Sequence, residues 1–220
     1  MKDEAEKRER MAKIVRYLKK TYGEPKTELL YKKDYELLFA VMLSAQCTDK
    51  RVNMVTPGLF KKYPTLKAFA DAKLDTLRKD ISSISFPNNK AKHMIETAQI
   101  LLLDFKGKVP RSIPELLTLK GVARKTANVV RGELFDEWDG IAIDTHVKRF
   151  ARKFDISHAK SANAMERELM ALVPKKDWKY VNNGWVLYGR YVCTAIKHDC
   201  SKHGLTKIWP LAKDKWPKTD

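Results

Sequence analysis

Cysteine is scarce, with three in 220 residues. So few thiols, and an odd number of them, do not make a secreted disulfide framework, so reduced cysteines are expected. Long apolar runs are missing too. No stretch approaches the roughly 18–20 apolar residues of a membrane span, and the charged opening MKDEAEKRER lacks the apolar segment a signal peptide needs. These absences point to a cytoplasmic, non-secreted protein with no membrane partner. Acidic residues are outnumbered, 27 Asp+Glu against 44 Lys+Arg, for a formal charge of +17 at pH 7. A surplus of that size attracts polyanions, nucleic acid above all, although a ribosome-bound or merely basic protein shares the composition. Apolar residues make up 44% of the chain and aromatics 10%, at a mean hydropathy of −0.47, which is enough to bury a core and excludes global disorder.

Period-2 alternation, the mark of half-buried strands, is also lacking, and the rhythm throughout is helical. Between residues 4 and 22, Met11, Ile14, Val15 and Leu18 form an apolar stripe among charges, ended by Gly23 and Pro25. Residues 35–44, 51–63, 66–72, 74–84, 91–105, 113–119, 125–135, 145–154, 162–173 and 180–197 repeat the pattern. Short separators carrying Gly, Pro, Asn or Asp lie at 63–65, 86–89, 106–108 and 139–140. The prediction is an all-α protein of about eleven helices, without internal repeats and with one biased tract, a Lys-rich tail from Lys213.

The most informative stretch runs from Leu116 to Val130, LLTLKGVARKTANVV. A short helix ends at a glycine turn and a second begins at once, so free backbone N–H groups at a helix N-terminus can grip a phosphate. The same sequence also suits an ordinary αα-hairpin without function. Lys125 lies in the first turn of the second helix beside Arg124, where the helix dipole and a neighbouring cation both disfavour a protonated amine. A lysine so placed is either a Schiff-base nucleophile or a solvated phosphate contact.

Further on, Asp144 in Ala142-Ile143-Asp144-Thr145-His146 precedes an amphipathic helix. It reads as an N-cap or as a carboxylate that stabilises a cationic sugar transition state. Lys148, Arg149, Arg152 and Lys153 then form a basic cluster or simply a solvated helix face.

Three blocks, Leu43-Ser44-Ala45-Gln46-Cys47-Thr48-Asp49, Leu119–Asn128 and Ile143-Asp144-Thr145-His146, resemble in order and spacing the endonuclease III group of the helix-hairpin-helix DNA glycosylase superfamily. The resemblance implies a bilobal, monomeric enzyme of base excision repair that flips an oxidised pyrimidine out of damaged double-stranded DNA. One lobe would be a six-helix barrel over residues 27–138, and the other would join 1–26 to 139–220, with the active site in the cleft. The catalytic pair falls on Lys125 and Asp144: the amine attacks C1′, the carboxylate stabilises developing charge, and the Schiff base permits β-elimination. DNA contacts fall on Gln46, which fills the gap of the flipped nucleotide, Phe86, an apolar wedge or a hydrophobic staple, and Lys90. They continue on Leu119, Lys120, Gly121, Val122, Ala123, Arg124, Thr126, His146 and Arg149. Nucleoid association follows. The alternatives are a monofunctional mismatch or uracil glycosylase, whose members generally lack the lysine, and a non-catalytic helix-hairpin-helix DNA-binding protein.

The pattern breaks near the C-terminus. Most of the family ends in Cys-x6-Cys-x2-Cys-x5-Cys around a four-iron four-sulfur cluster. Here Cys193 and Cys200 keep the spacing, but the next positions are His203 and Trp209. Cluster ligation needs four thiolates, so no iron–sulfur cluster is expected. Zinc at Cys193, Cys200 and His203, with His198, is set aside because the spacing matches no finger pattern. The expectation is a metal-free loop packed by Leu205, Ile208, Trp209 and Trp216. Two hairpin positions also depart from the family: Lys120 stands where it has proline and Ala123 where it has glycine.

Overall fold

The computed structural model describes residues 2–217; the end of the Lys-rich tail lies outside the described residues. All regular structure in that span is helical, in two compact units. One unit is Glu28–Glu137; the other takes in the described residues up to Thr27 and those from Trp138 onward.

Within Glu28–Glu137 the centre is α2 (Asp34–Ser44), buried from Glu36 through Leu43. A helix apolar on every side can only be stable when neighbours surround it. The neighbours are α3 (Asp49–Lys62), α6 (Pro87–Asp104) and α8 (Arg124–Phe135). Glu36 closes the N-terminus of α2 by accepting from Lys32 N at 2.7 Å and Lys33 N at 3.2 Å. Thr48 caps α3 and Thr65 caps α4 (Leu66–Ala70), each hydroxyl taking an otherwise unpaired first-turn N–H. Phe69 on α4 is the hub of an aromatic group, with ring centroids 4.8 Å from Phe39 and 5.0 Å from Tyr63. Next, α5 (Leu74–Asp80) stops short of the expected residue 84. Asp80 there is held by Lys62 Nζ at 2.7 Å and by Tyr63 OH at 2.8 Å.

In the other unit α1 (Lys2–Tyr22) buries Met11, Ile14, Val15 and Leu18, the stripe expected from spacing. They meet Phe150 of α9 (Thr145–Lys153), Leu169 of α10 (Ala162–Leu172) and Trp185 of α11 (Trp185–Tyr191) in one core. The long helix expected over 180–197 does not form. A π-turn at Tyr180–Gly184 leads into α11, which ends at Tyr191. The carbonyls of Cys193 and Thr194, which a continuing helix would offer to amides four residues on, are turned instead to Arg149 Nη1 at 2.7 and 2.8 Å. Beyond this loop an unexpected short helix, α12 (Gly204–Ile208), packs on α1. Gly204 is required there, because a Cβ would come within 2.2 Å of the Tyr17 ring.

No described helix is long and apolar enough to cross a membrane.

Truncating the aromatic hub by Phe69→Ala should cost about 3–5 kcal/mol, read as a lower urea midpoint at unchanged slope.

Candidate functional site

The hairpin joins α7 (Ile113–Leu116) to α8. Leu119 and Val122 are buried and anchor the turn in the core, whereas Lys120, Gly121 and Ala123 are exposed. Thr97 Oγ1 donates to Lys120 O at 2.9 Å and fixes the turn to α6. Gly121 has φ +75°, and a Cβ on it would lie 2.7 Å from His93 Nδ1, so both backbone and space demand glycine. Ala123 has φ −90° and ψ 168°, ordinary extended backbone, so alanine in place of the family's glycine carries no strain. As N-cap it offers no side-chain oxygen to the first turn of α8. The amides of Lys125 and Thr126 therefore get no acceptor from the cap side chain, at the positive end of a 12-residue helix where an anion is favoured. Lys125 is exposed in that same turn.

Two loops of the same unit present Gln46 and Phe86. Both have left-handed backbones, φ 53° and 56°, an uncommon state for non-glycine residues and rarer for a bulky one. Ser85 Oγ donates to Gln46 O at 2.6 Å, tying the loops together. Phe86 is 59% exposed, so it is not the buried staple of the alternative reading. Lys90, expected on DNA, is instead buried, its ammonium bonded to Leu43 O at 2.8 Å and Ala45 O at 2.7 Å. Burial lowers its pKa. The signal was present in the sequence, for Lys90 shares a face with Met94, Thr97, Ala98 and Leu101. The Ser85, Thr97 and His93 contacts carried no such signal.

In the other unit Asp144 is the N-cap of α9, accepting from Val147 N at 2.7 Å, and is half-buried. His146 packs against Gly189, where a Cβ would meet its Nδ1 at 2.2 Å. Arg149, expected on DNA, is instead turned inward. It is 5% exposed, and its guanidinium serves the carbonyls beyond α11, with burial lowering its pKa. Lys153 of the expected solvated face is also buried, donating to Lys215 O at 2.8 Å.

The expectation of a metal-free C-terminal loop is corrected by the same unit. Cys193, Cys200 and His203 converge, with ligand atoms all within 4.8 Å of one another. Both thiols are buried, and burial raises the pKa of Cys193. Leu205, Ile208, Trp209 and Trp216 do pack on the core as foreseen, but in the same cluster as Cys193 and Cys200 and not in place of them. Of the family's four ligand positions two are thiols here. The third is His203, and the fourth, Trp209, lies on the Arg10 guanidinium at 3.3 Å, so the donor set is not the four thiolates of an iron–sulfur cluster.

Residues 39–175 match the model of the HhH-GPD superfamily base excision DNA repair proteins. Endonuclease III of Synechocystis sp. is 41% identical over 209 residues, 95% of this chain and 95% of that protein. Endonuclease III of Rickettsia felis is 42% identical over 188 residues, covering 86% and 88% respectively. A solved structure of a trapped endonuclease III–DNA covalent intermediate, the estranged-adenine complex, superposes with a TM-score of 0.85 at 35% identity. That match covers 94% of this chain and 97% of the other.

Gly121→Ala should destabilise the protein by about 1–2 kcal/mol from the left-handed backbone alone, plus the cost of the His93 contact. His93→Ala added to it should recover only the imidazole ring's share of the contact, as read by thermal unfolding of both variants.

Proposed function

Because the chain belongs to the HhH-GPD superfamily of base excision DNA repair proteins and is a DNA glycosylase and abasic-site lyase, we propose that Lys125 is its nucleophile, Asp144 its catalytic carboxylate and an oxidised pyrimidine its substrate. The observation that carries the reading is the first turn of α8, where a helix N-terminus without a side-chain cap and an exposed lysine amine stand together. The amides of that turn would hold a backbone phosphate while the amine reaches a neighbouring sugar. The uncharged amine forms a bond to C1′ as the glycosidic bond breaks and the base departs with the electron pair and a proton. Positive charge grows on the sugar ring, and an anion nearby lowers that barrier. Loss of the ring oxygen bond gives the Schiff base, which acidifies the 2′ position so that β-elimination expels the 3′ phosphate.

Asp144 has a second duty as helix cap, and this shapes its test. Asn caps a helix about as well as Asp, so exchange removes the charge and keeps the cap. We assign stack-filling to Gln46 and Phe86, whose exposed side chains stand on constrained backbones. An inserted side chain recovers part of the few kcal/mol spent on unstacking a flipped base. Lys120, Gly121, Ala123, Arg124 and Thr126 are assigned to the phosphate grip, Leu119 and Val122 to its support, and His146 to the surface beside Asp144. With a charge of +17 such an enzyme is expected on the nucleoid.

Borohydride should trap the protein covalently on a duplex carrying one thymine glycol, and Lys125→Ala should abolish trapping and strand scission while sparing binding. Full scission by that variant refutes the assignment. Asp144→Asn should keep its thermal midpoint to within a few degrees yet slow base release by at least about 100-fold. Binding should weaken steeply between 50 and 200 mM salt, on the order of 1000-fold or more if about six phosphates are contacted.

A further inference from the structure

The C-terminal loop holds two imidazole nitrogens that have no visible reason to be where they are. His203 Nδ1 and His198 Nε2 are both buried and neither has a hydrogen-bond partner. Burying a polar nitrogen unpaired is unfavourable, and these two imidazoles, unlike the other unpaired groups of the segment, are metal-ligand types. The rings of His198 and His203 lie 5.2 Å apart between centroids. His203 already belongs to the set with Cys193 and Cys200 whose ligand atoms fall within 4.8 Å.

His198 is prepared in a further way. Its Nδ1 sits 2.6 Å from Ile196 O, close enough only for a donated N–H, which fixes the tautomer and leaves a lone pair on buried Nε2. A metal-binding histidine characteristically holds its second nitrogen in this way. Trp216 meets the His198 ring edge-on at 5.0 Å, giving that side an apolar wall. A pocket lined by His198, Cys200, Lys213 and Trp216 opens beside two of these side chains.

We propose that Cys193, Cys200, His203 and His198 bind a single zinc ion that staples the loop after α11 to the helix α12. Two thiolates and two imidazoles are a donor set for tetrahedral zinc, and four protein ligands make a closed structural site. Bonds of about 2.3 Å to sulfur and 2.0–2.1 Å to nitrogen put tetrahedral ligand atoms roughly 3.4–3.8 Å apart. The three donors within 4.8 Å reach that spacing by small side-chain rotations. Ligand atoms this close suit one ion better than a cluster, whose ligands are spread over several irons. The two thiolates balance the charge of Zn²⁺, so the occupied centre is neutral, with the buried cations Arg149 and Lys153 beside it. The site lies in a different unit from Lys125 and enters no step of the reaction.

The test is elemental analysis, with acid-labile sulfide, of the untagged full chain produced with both iron and zinc in the medium. One zinc per chain is expected, with iron and sulfide near zero. Replacing zinc by Co²⁺ should give the intense visible bands of a tetrahedral ion with thiolate charge transfer. His198→Ala should weaken or shift those bands as water enters the fourth position. If stripping unfolds the protein, cobalt supplied during refolding gives the same reading. Stoichiometric iron with sulfide, or a chain that folds with no bound metal, overturns the proposal; an unchanged cobalt spectrum in His198→Ala overturns the place given to His198. None of these readouts involves DNA, so they stand or fall apart from the assignment of Lys125.

Discussion

Among the described residues four cations are buried, Arg10, Lys90, Arg149 and Lys153, and each holds carbonyl oxygens where the chain leaves a helical segment. Lys90 takes Leu43 and Ala45 at the end of α2, and Arg10 takes Phe154 and Asp155 at the end of α9. Arg149 takes Cys193 and Thr194 beyond α11, and Lys153 takes Lys215 after the short 3-10 turn Pro210–Asp214. The last carbonyls of a helix have no partner within it and carry the negative end of its dipole. A cation placed there regains in charge-assisted bonds much of what it loses in hydration, each worth about 1.5–3 kcal/mol. Removing Arg10, Lys90 or Arg149 would leave at least two carbonyls unpaired at once.

This arrangement divides the positive charge between two tasks. Part of the surplus is spent inside, shaping the loops after α2, α9 and α11, and only the remainder faces an anionic partner. The loop after α2 shows the benefit most clearly. Lys90 and Ser85 fix the backbone on either side of Gln46 and tie it to the segment bearing Phe86. Two non-glycine residues can then persist in the left-handed region, where an untethered chain would relax. The hairpin needs no such anchor cation. Its geometry comes from Gly121, from the buried Leu119 and Val122, and from Thr97, which leaves Lys120 and Lys125 exposed on its outer surface.

The C-terminal loop applies the same logic to a different group. Arg149 directs the chain out of α11 at Cys193, and the turn back toward α12 brings Cys200 and His203 beside it. Trp209, at the position where the resembled family has its last cysteine, covers Arg10 and so joins the internal cations to the core. Ligand chemistry and apolar packing therefore coexist in this loop. Treating them as exclusive is why a metal-free loop was expected from the spacing of the cysteines alone.

How much of this could be read from the sequence depends on how far apart the interacting groups lie along the chain. The stripe of α1, the cap at Asp144 and the left-handed turn at Gly121 all rest on neighbours within a turn or two, so periodicity and residue type were sufficient, although the His93 contact that also demands this glycine was hidden. Helix ends set by distant partners were missed. Nothing local marks residue 191 as the end of α11, because the group that draws the carbonyls away lies 44 residues earlier. The fate of each lysine and arginine was equally hidden: Lys90 meets Leu43 across 47 positions and Arg10 meets Phe154 across 144. The sequence by itself determined the all-helical class, most of the helices, the hairpin and the chemical kinds of side chain available. Only the tertiary structure decided which cations turn inward and which nitrogens meet the two buried thiols, because a charge is buried only where distant carbonyls converge to replace its water.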